Sequence, residues 1–266
     1  MNISYYWADK DERARIAQQH TKKQYDFYSK EICDSVARTQ IYDDNTTMKM
    51  SKNNSGTTVK LEAMGSVEAI FAYQDGKVAV LNFASYKNPG GKFLDGSRAQ
   101  EECLCHESNL YNVLATQADY YAWNNAHKNR ALYLNRALYS PDIIFSRPEV
   151  TPVKCDVITC AAPNITPSRK YGWGVTDEEN TEALESRIKF VLGVAADQGV
   201  DTLILGAFGC GVFGQDATEV ADLFIKYLTT TYSGCFKTVV FAIPQDVHGG
   251  NHDKFKRELD SIKCNK

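Results

Sequence analysis

Two adjacent carboxylates, Glu101 and Glu102, follow shortly after a glycine-rich segment that contains Gly90 and Gly91. A glycine turn lets backbone N–H groups approach a ligand closely, and paired carboxylates can donate and accept protons. Taken alone, two acids at a helix start are commonly surface residues that favour the helix dipole. Here an apolar run over residues 78–83 leads directly into the glycine segment, as a buried strand would. The order of strand, glycine loop and acidic helix predicts a site where phosphate binding and acid catalysis meet.

A second glycine-rich segment, residues 205–216, lies between an apolar strand pattern and a predicted helix. Gly209, Gly211 and Gly214 have the spacing of a dinucleotide-binding loop. That fold is disfavoured because too little chain follows, and because no acidic residue ends a strand about 20 positions later to bind a ribose hydroxyl. The segment instead predicts a diphosphate-binding loop, assisted by the positive end of the helix that starts near Asp216.

Hydrophobic periodicity predicts an α/β protein with helices on both faces of a sheet. Apolar or alternating runs predict strands at residues 58–63, 78–83, 156–162, 202–207 and 238–243. Amphipathic patterns predict helices at residues 8–42, 101–115, 178–198, 216–229 and 252–264. The polar residues 43–57 and the proline-containing residues 140–152 are predicted to be loops.

Composition restricts the classes of protein and partner. The chain has 266 residues and a formal net charge of −3, so no overall basic field predicts general binding of nucleic acid. Eight cysteines lack the spacing of zinc sites and indicate reduced thiols in a cytoplasmic protein. The N-terminus does not resemble a signal peptide, and no apolar run approaches the ~20 residues that span a bilayer, so no membrane partner is expected.

Two motifs give the sequence a specific resemblance. Residues 82–111 resemble the signature of the bacterial-type poly(ADP-ribose) glycohydrolases of the macrodomain superfamily, which is three glycines, a short spacer and Gln-Glu-Glu. In this chain residues 90–92 are Gly-Gly-Lys, and residues 100–102 are Gln-Glu-Glu. Residues 209–214 are similar to the second, diphosphate-binding loop of that family. Residues 159–164 fit its middle strand and following loop.

The resemblance extends over residues 12–250 and implies a fold for nearly the whole chain. It implies a macrodomain-like three-layer α/β/α architecture with a mixed central sheet. Residues 1–57 would be an N-terminal helical extension, packed on a catalytic core of residues 58–266 as part of a single domain. This extension could cap the adenosine end of a ligand.

The resemblance also implies an activity, the hydrolysis of ribose–ribose O-glycosidic bonds in poly(ADP-ribose). The enzyme would be a glycosidase that releases ADP-ribose from chain ends, without a metal or other cofactor. Glu102 would be the general acid and base, and Glu101 would bind hydroxyls of the scissile ribose or of the leaving group. Two carboxylates in one site push their pKa values apart, so that one can stay protonated near neutral pH.

Further ligand contacts follow from the same resemblance. Backbone N–H groups of the two glycine loops would bind the diphosphate: Gly90, Gly91, Gly209, Cys210, Gly211 and Val212. Phe213 would pack on the scissile ribose. Asn88 would either bind a ribose hydroxyl or form the turn before Pro89, and Gln100 would either orient the glutamates or contact the ribose. An apolar shelf for adenine is expected within residues 241–244.

One departure from the family pattern leaves alternatives open. Lys92 stands where the family usually has a third glycine, so it could strain the loop or pair its ammonium with a phosphate. The alternative functions are a mono-ADP-ribosyl hydrolase acting on protein or nucleic acid, and a non-catalytic ADP-ribose-binding macrodomain. The Gln-Glu-Glu sequence at residues 100–102 favours an enzyme, because a binding module does not need paired acids.

Overall fold

A computed structural model of the chain describes residues 4–245 and 250–263. These residues form a seven-stranded sheet with the order β1-β4-β5-β3-β6-β7-β2. The strands are β1 (Gln40–Asp43), β2 (Thr58–Glu62), β3 (Val78–Phe83), β4 (Arg136–Arg147), β5 (Val150–Cys160), β6 (Thr202–Leu205) and β7 (Thr238–Ala242). The five strands from β5 to β2 are parallel, whereas β4 is antiparallel to both β5 and β1. The predicted mixed α/β sheet is confirmed.

Helices cover both faces of this sheet. They are α1 (Ser4–Trp7), α2 (Lys10–Arg38), α3 (Ser66–Ala72), α4 (Gln100–His106), α5 (Leu110–Leu114), α6 (Ala118–Ala126), α7 (Thr166–Tyr171), α8 (Asp177–Asp197), α9 (Ala217–Thr229) and α10 (Asn251–Lys263). Successive residues of a strand point to opposite faces, and β3 shows the result. Its Val78 and Val80 pack with α2 to α6, and its Ala79 and Leu81 pack with α8 to α10. Two cores therefore enclose one sheet, which makes three layers.

The first predicted helix is shorter in the structure than in the sequence analysis. It was expected to reach residue 42, but α2 ends at Arg38, where the N–H of Thr39 bonds to the carbonyl of Val36. Gln40–Asp43 then pair with β4 as an edge strand. Helical periodicity gave no sign of this pairing, because the strand is formed by a partner almost 100 residues away in sequence.

The loop prediction for residues 140–152 is wrong, because most of this stretch belongs to the β4–β5 hairpin. Pro141 lies where the register between the two strands shifts, so the N–H that proline lacks is not needed by the ladder. Asp142 follows with a φ of 54°, and its N–H donates to the carboxylate of Asp156 at 2.7 Å. A bulge thus accommodates the proline inside a strand.

The predicted helix over residues 101–115 is two helices, α4 and α5. Ser108 separates them because its hydroxyl donates to the carbonyl of Leu104 at 2.6 Å and accepts from the N–H of Leu110 at 3.1 Å. Asn109 also accepts from the N–H of Ile144 on β4 at 3.0 Å. Polar side chains that bond to backbone groups commonly interrupt helices in this way. The break leaves α4 as a short helix that carries the two glutamates.

The long helix α2 lies against the loop that leads to α4. Arg13 donates from Nε to the carbonyl of Gly96 at 2.7 Å, and His20 Nε2 lies 2.8 Å from the carbonyl of Ser108. The N-terminal extension therefore contacts both ends of the segment that carries the glutamates. Within the part of the chain that the structure describes, no helix combines the length and apolar character that crossing a bilayer requires.

The contact at Gly96 is testable by substitution. Gly96 has a φ of 76°, and a Cβ there would lie 2.0 Å from the carbonyl oxygen of Lys10. We expect Gly96→Ala to lower the free energy of unfolding by about 2 kcal/mol or more, since backbone must shift. Gly172→Ala is the matched control, because Gly172 has a φ of 67° and open space around it. Equal losses in urea denaturation of the two variants would contradict the close packing of α2.

Candidate active site

The two glycine segments and the two glutamates meet at one cavity of about 520 Å³. The cavity lies where β3 and β6 end and their following loops converge. Its walls include Glu101 and Glu102, both glycine loops, and the side chains of Tyr133, Asn164 and Phe213. We call it the carboxylate cavity. All the sequence-predicted site residues except Gly90 and Cys210 line it, and these two lie within its two loops.

Glu101 is the more buried of the two glutamates, with 3% of its surface exposed. One carboxylate oxygen accepts from the N–H of Ser85 at 2.7 Å, and the other accepts from Asn82 Nδ2 at 3.3 Å. Burial raises the pKa of Glu101 to about 8, against the hydrogen bond from Ser85, and the charge of Glu102 adds to the rise. Glu101 is therefore mostly protonated at neutral pH.

Glu102 holds the loop together from the first turn of α4. Its Oε1 accepts from the N–H of Lys92 at 2.9 Å, and its Oε2 accepts from the N–H of Ala99 at 2.8 Å. The second bond is the carboxylate half of a capping box, in which the third helical residue reaches back to the N-cap. Both oxygens are thus fixed by backbone groups, which orients the carboxylate without a second side chain.

The glycine turn approaches the two carboxylates directly. Gly90 and Gly91 have φ values of 64° and 62°, which favour glycine. A Cβ on Gly91 would lie 2.5 Å from Oε1 of Glu102 and 2.9 Å from Oε2 of Glu101. Lys92 has a φ of −115°, so the position of the family's third glycine accepts a side chain without strain. The lysine side chain is exposed at the cavity wall.

Gln100 and Asn88 take part in the framework of the site. Gln100 accepts from the N–H of Phe83 at 2.8 Å and donates to the carbonyl of Leu81 at 2.8 Å, which ties α4 to the end of β3. The N–H of Asn88 donates to Ser85 Oγ at 3.2 Å, and its carbonyl accepts from the N–H of Gly91. The backbone of Asn88 thus forms the turn, while its side chain is exposed at the cavity wall.

The second glycine loop is open on its outer side. Gly211 has no atom within 4 Å of an added Cβ, and Val212 is 82% exposed. Gly209, in contrast, has a φ of 76° and would place a Cβ 2.7 Å from that of Ala162. Burial raises the pKa of the Cys210 thiol to about 12, so this side chain stays neutral.

The N-terminus of the helix after this loop is capped by an acidic side chain. The side chain of Asp216 accepts from the N–H groups of Thr218 and Glu219 at 2.8 and 3.3 Å. It therefore caps α9 and occupies the positive end of the helix. A phosphate at this loop would depend on the N–H groups of the loop itself.

A second cavity of about 760 Å³ adjoins the first and shares Phe83, Ala99, Gln100 and Ala207 with it. We call it the apolar cavity. Residues 5–7 of the N-terminal extension line it on one side. The two cavities are therefore neighbours that share one wall.

The residues expected to form an adenine shelf lie in two different parts of the structure. Ile243 and Pro244 line the apolar cavity, as an adenine shelf requires. Phe241 does not, because it is fully buried and packs between Phe224 and Phe255 in the core. The alternation of strand residues puts position 241 on the core side.

Sequence reasoning missed two residues of the carboxylate cavity, Tyr133 and Asn164. Tyr133 lies in an irregular segment before β4, where no periodic pattern marks it. Asn164 was included only within a motif that fits a loop of the family. Its position directly after a central strand could have identified it, because ligands bind beyond the carboxyl ends of parallel strands.

Comparison with known proteins agrees with this geometry. The sequence model of the family described as "Microbial-type PARG, catalytic domain" matches residues 6–148, which are just over half of the chain. This chain belongs to the microbial-type PARG family. The first motif, which consists of the glycine loop and the glutamate pair, lies within the matched residues. A search of curated proteins gives no match.

Solved structures of PARG enzymes are similar to this protein over most of its length. Poly(ADP-ribose) glycohydrolase from Thermomonospora curvata is 28% identical, with a TM-score of 0.83 over 93% of this chain and 99% of that one. The same enzyme bound to the inhibitor ADP-HPD has 29% identity and a TM-score of 0.81, with the same coverage. The enzyme from Deinococcus radiodurans in complex with ADP-ribose has 31% identity and a TM-score of 0.79, over 87% and 98% of the two chains. The predicted family and fold are confirmed.

The contact between Gly91 and the glutamates predicts a large effect of a small substitution. Gly91→Ala should reduce glycohydrolase activity by about 100-fold or more, because its methyl group would displace both carboxylates. Gly199→Ala is the control, since Gly199 has a φ of 63° with no atom near an added Cβ and lies outside the site. The activity of both variants is measured as the release of ADP-ribose from poly(ADP-ribose). Wild-type activity in Gly91→Ala would rule out the close approach.

The raised pKa of Glu101 predicts that stability depends on pH. Between the usual pKa near 4.5 and about 8, the folded protein binds a proton that the unfolded chain releases. Stability should therefore be greatest below that window and should fall as pH rises through it, by on the order of a few kcal/mol. Urea denaturation of wild type and Glu101→Gln at pH 5 and pH 8.5 measures the difference. Parallel pH dependence of the two proteins would show that Glu101 is not the group responsible.

Proposed function

We propose how this microbial-type PARG uses its residues to hydrolyse the ribose–ribose O-glycosidic bonds of poly(ADP-ribose). The family assignment carries the activity, and one observation carries the proposed mechanism. Glu101 and Glu102 converge on the backbone of Gly91, inside a cavity that both glycine loops also line. Acid groups and phosphate-binding backbone therefore face the same ligand, as the cleavage of a ribose linked to a diphosphate requires.

In the proposed reaction, Glu102 is the general acid and then the general base. Its carboxyl proton passes to the oxygen of the leaving ribose as the glycosidic bond breaks, which leaves an oxocarbenium-like centre. Water then attacks the anomeric carbon and gives its proton to the Glu102 carboxylate, which restores the acid. Because the pKa of Glu101 is raised to about 8, the carboxyl pair holds a proton at neutral pH. We propose that this proton moves from Glu101 to Glu102 when substrate binds.

Glu101 is proposed to position the sugar rather than to transfer the proton. With the proton of the pair on Glu102, the Glu101 carboxylate can accept hydrogen bonds from the neighbouring hydroxyls of a ribose. Hydrogen bonds from the N–H of Ser85 and from Asn82 Nδ2 fix its two oxygens, so the carboxyl group has one preferred orientation. Phe213, half-buried at the cavity wall, is proposed to pack on the face of the same ribose.

The diphosphate is proposed to lie between the two loops. The proposed donors are the backbone N–H groups of Gly209, Gly211 and Val212. Those of Gly91 and Cys210 already donate to the carbonyls of Asn88 and Ala207, and that of Gly90 faces Glu101. Lys92 adds a cation at the same wall, and its unstrained backbone leaves phosphate pairing as the role that we propose for it. No cofactor or metal takes part in this mechanism.

The adenosine end is proposed to occupy the apolar cavity. Its lining by Tyr5, Tyr6 and Trp7 supports the idea that the 1–57 extension covers this end of the ligand. A covered adenosine end would favour cleavage at chain termini, so we propose exo action. A cytoplasmic location is also proposed, on the basis of the cysteine pattern of the sequence.

Substitution of each glutamate tests the assigned roles. Glu102→Gln should lower the release of ADP-ribose from poly(ADP-ribose) by about 1,000-fold or more, because it removes the transferable proton, yet it should still bind ADP-ribose. Glu149→Gln is the matched control, since Glu149 is exposed in the distant β4–β5 turn. The assay is run in chelator, so that metal-independent release is tested with it.

Other outcomes have definite meanings. Near-normal activity of Glu102→Gln would remove Glu102 from the acid role. Release by wild type that stops in chelator would contradict metal independence. Wild type that binds ADP-ribose but releases none from the polymer would point to a mono-ADP-ribosylated substrate or to a binding module.

A further inference from the structure

A strained turn stands beside the carboxylate cavity. Asn129, Arg130, Ala131 and Tyr133 have φ values of 43°, 51°, 70° and 60°, although none of them is glycine. Each such residue costs on the order of 1 kcal/mol relative to an ordinary conformation. Backbone of this kind persists only where its surroundings impose it, and it is concentrated at functional sites. We call this segment the 129–133 turn.

A buried arginine donates a hydrogen bond to the backbone of this turn. Arg187 of α8 is 1% exposed and donates from Nε to Asn135 Oδ1 at 2.8 Å. Its Nη2 donates to the carbonyl of Leu132 at 3.4 Å, and its Nη1 donates to the carbonyl of Ala161 at the end of β5. Within residues 4–245 and 250–263, no carboxylate forms an ion pair with it. Burial of a guanidinium that bonds only to neutral acceptors costs free energy of folding. At that cost, the planar fork of donors fixes the carbonyl groups of Leu132 and Ala161 in place.

The turn presents an aromatic ring to the cavity. The ring of Tyr133 stacks on that of Tyr86, with centroids 4.2 Å apart and planes 12° apart. These two rings form a small apolar cluster with Ala131 and Ala161, separate from the two main cores, and Phe213 packs against it. The centroids of Tyr133 and Phe213 are 6.0 Å apart.

The same turn also reaches the polar wall of the cavity. The carbonyl of Ala131 accepts from the N–H of Asn164 at 2.9 Å. Burial raises the pKa of Tyr133, and the side chain of Asn164 opposes that rise, which places the amide beside the tyrosine hydroxyl. The outer side of the loop at Gly211 and Val212 is open, so Phe213 is supported on its inner side by the 129–133 turn together with the core on the α8 to α10 face.

We propose that Tyr133 is a specificity-determining residue, held by the 129–133 turn and Arg187, that supports Phe213 at the ribose carrying the scissile bond. This inference rests on the proposed placement of that ribose in the carboxylate cavity. It assigns to Tyr133 the discrimination between ligands that possess this second ribose and ligands that end at the diphosphate. ADP and ADP-ribose are the two probes that differ in this way.

Calorimetric titration of ADP-ribose and ADP compares wild type with Tyr133→Ala and Tyr133→Phe. Loss of the aromatic contact should weaken ADP-ribose binding of Tyr133→Ala by about three- to tenfold, which is the usual contribution of an aromatic pair. Its affinity for ADP should stay within about twofold of wild type, because ADP does not reach Phe213. Tyr133→Phe keeps the ring and should restore ADP-ribose affinity to within about twofold.

Substitution of Arg187 separately tests the hydrogen bonds that hold the 129–133 turn. Arg187→Lys keeps the charge but cannot reproduce the planar fork of donors, so it should weaken ADP-ribose binding more than ADP binding, as Tyr133→Ala does. Glu149→Gly is the control, since it relieves a φ of 62° at an exposed turn far from the cavity and should change neither affinity. If Arg187→Lys fails to fold, the Tyr133 pair still decides the inference.

Two results would overturn the inference. Tyr133→Ala could lose affinity for ADP and ADP-ribose equally, which would make its role purely structural, or it could bind ADP-ribose as tightly as wild type. Wild type that binds ADP but not ADP-ribose would instead overturn the proposed function itself, together with this inference. The two failures are therefore distinguishable in one set of titrations.

Discussion

The active site of this PARG depends on the hydrogen bonds that its two glutamates accept from backbone N–H groups. Glu102 takes the N–H groups of Lys92 and Ala99, and Glu101 takes that of Ser85. These bonds fold the segment between β3 and α4 around the two carboxyl groups. The side chains to which we assign the chemistry therefore also build the loop.

The surrounding layers hold this loop in place and bury Glu101. Gln100 ties α4 to the end of β3, while the N-terminal helix α2 contacts the loop through Arg13 and Gly96. Burial raises the pKa of Glu101, because a charged carboxylate loses hydration there. The fold around Glu101 thus raises its pKa, which the sequence of two adjacent acids does not reveal.

Local sequence patterns predicted those parts of the structure that local physics determines. The apolar run of residues 78–83 is typical of a buried strand. Gly90 and Gly91 have the backbone freedom that a tight turn with positive φ requires. The patterns failed where distant partners decide, as for the strand Gln40–Asp43 and for the bulge that admits Pro141. Tyr133 could not be found because its position depends on a strained turn and on Arg187, more than 50 residues later.

The pairing of β1 with β4 has a consequence for the boundaries of the folded unit. The N-terminal extension supplies one outer strand of the central sheet, although its residues precede the catalytic motifs by about 50 positions. A shortened protein that begins after residue 57 would expose the edge of β4, where unsatisfied N–H and C=O groups can recruit a strand from another molecule. Self-association would then accompany the loss of α2, so solubility and activity would fail together.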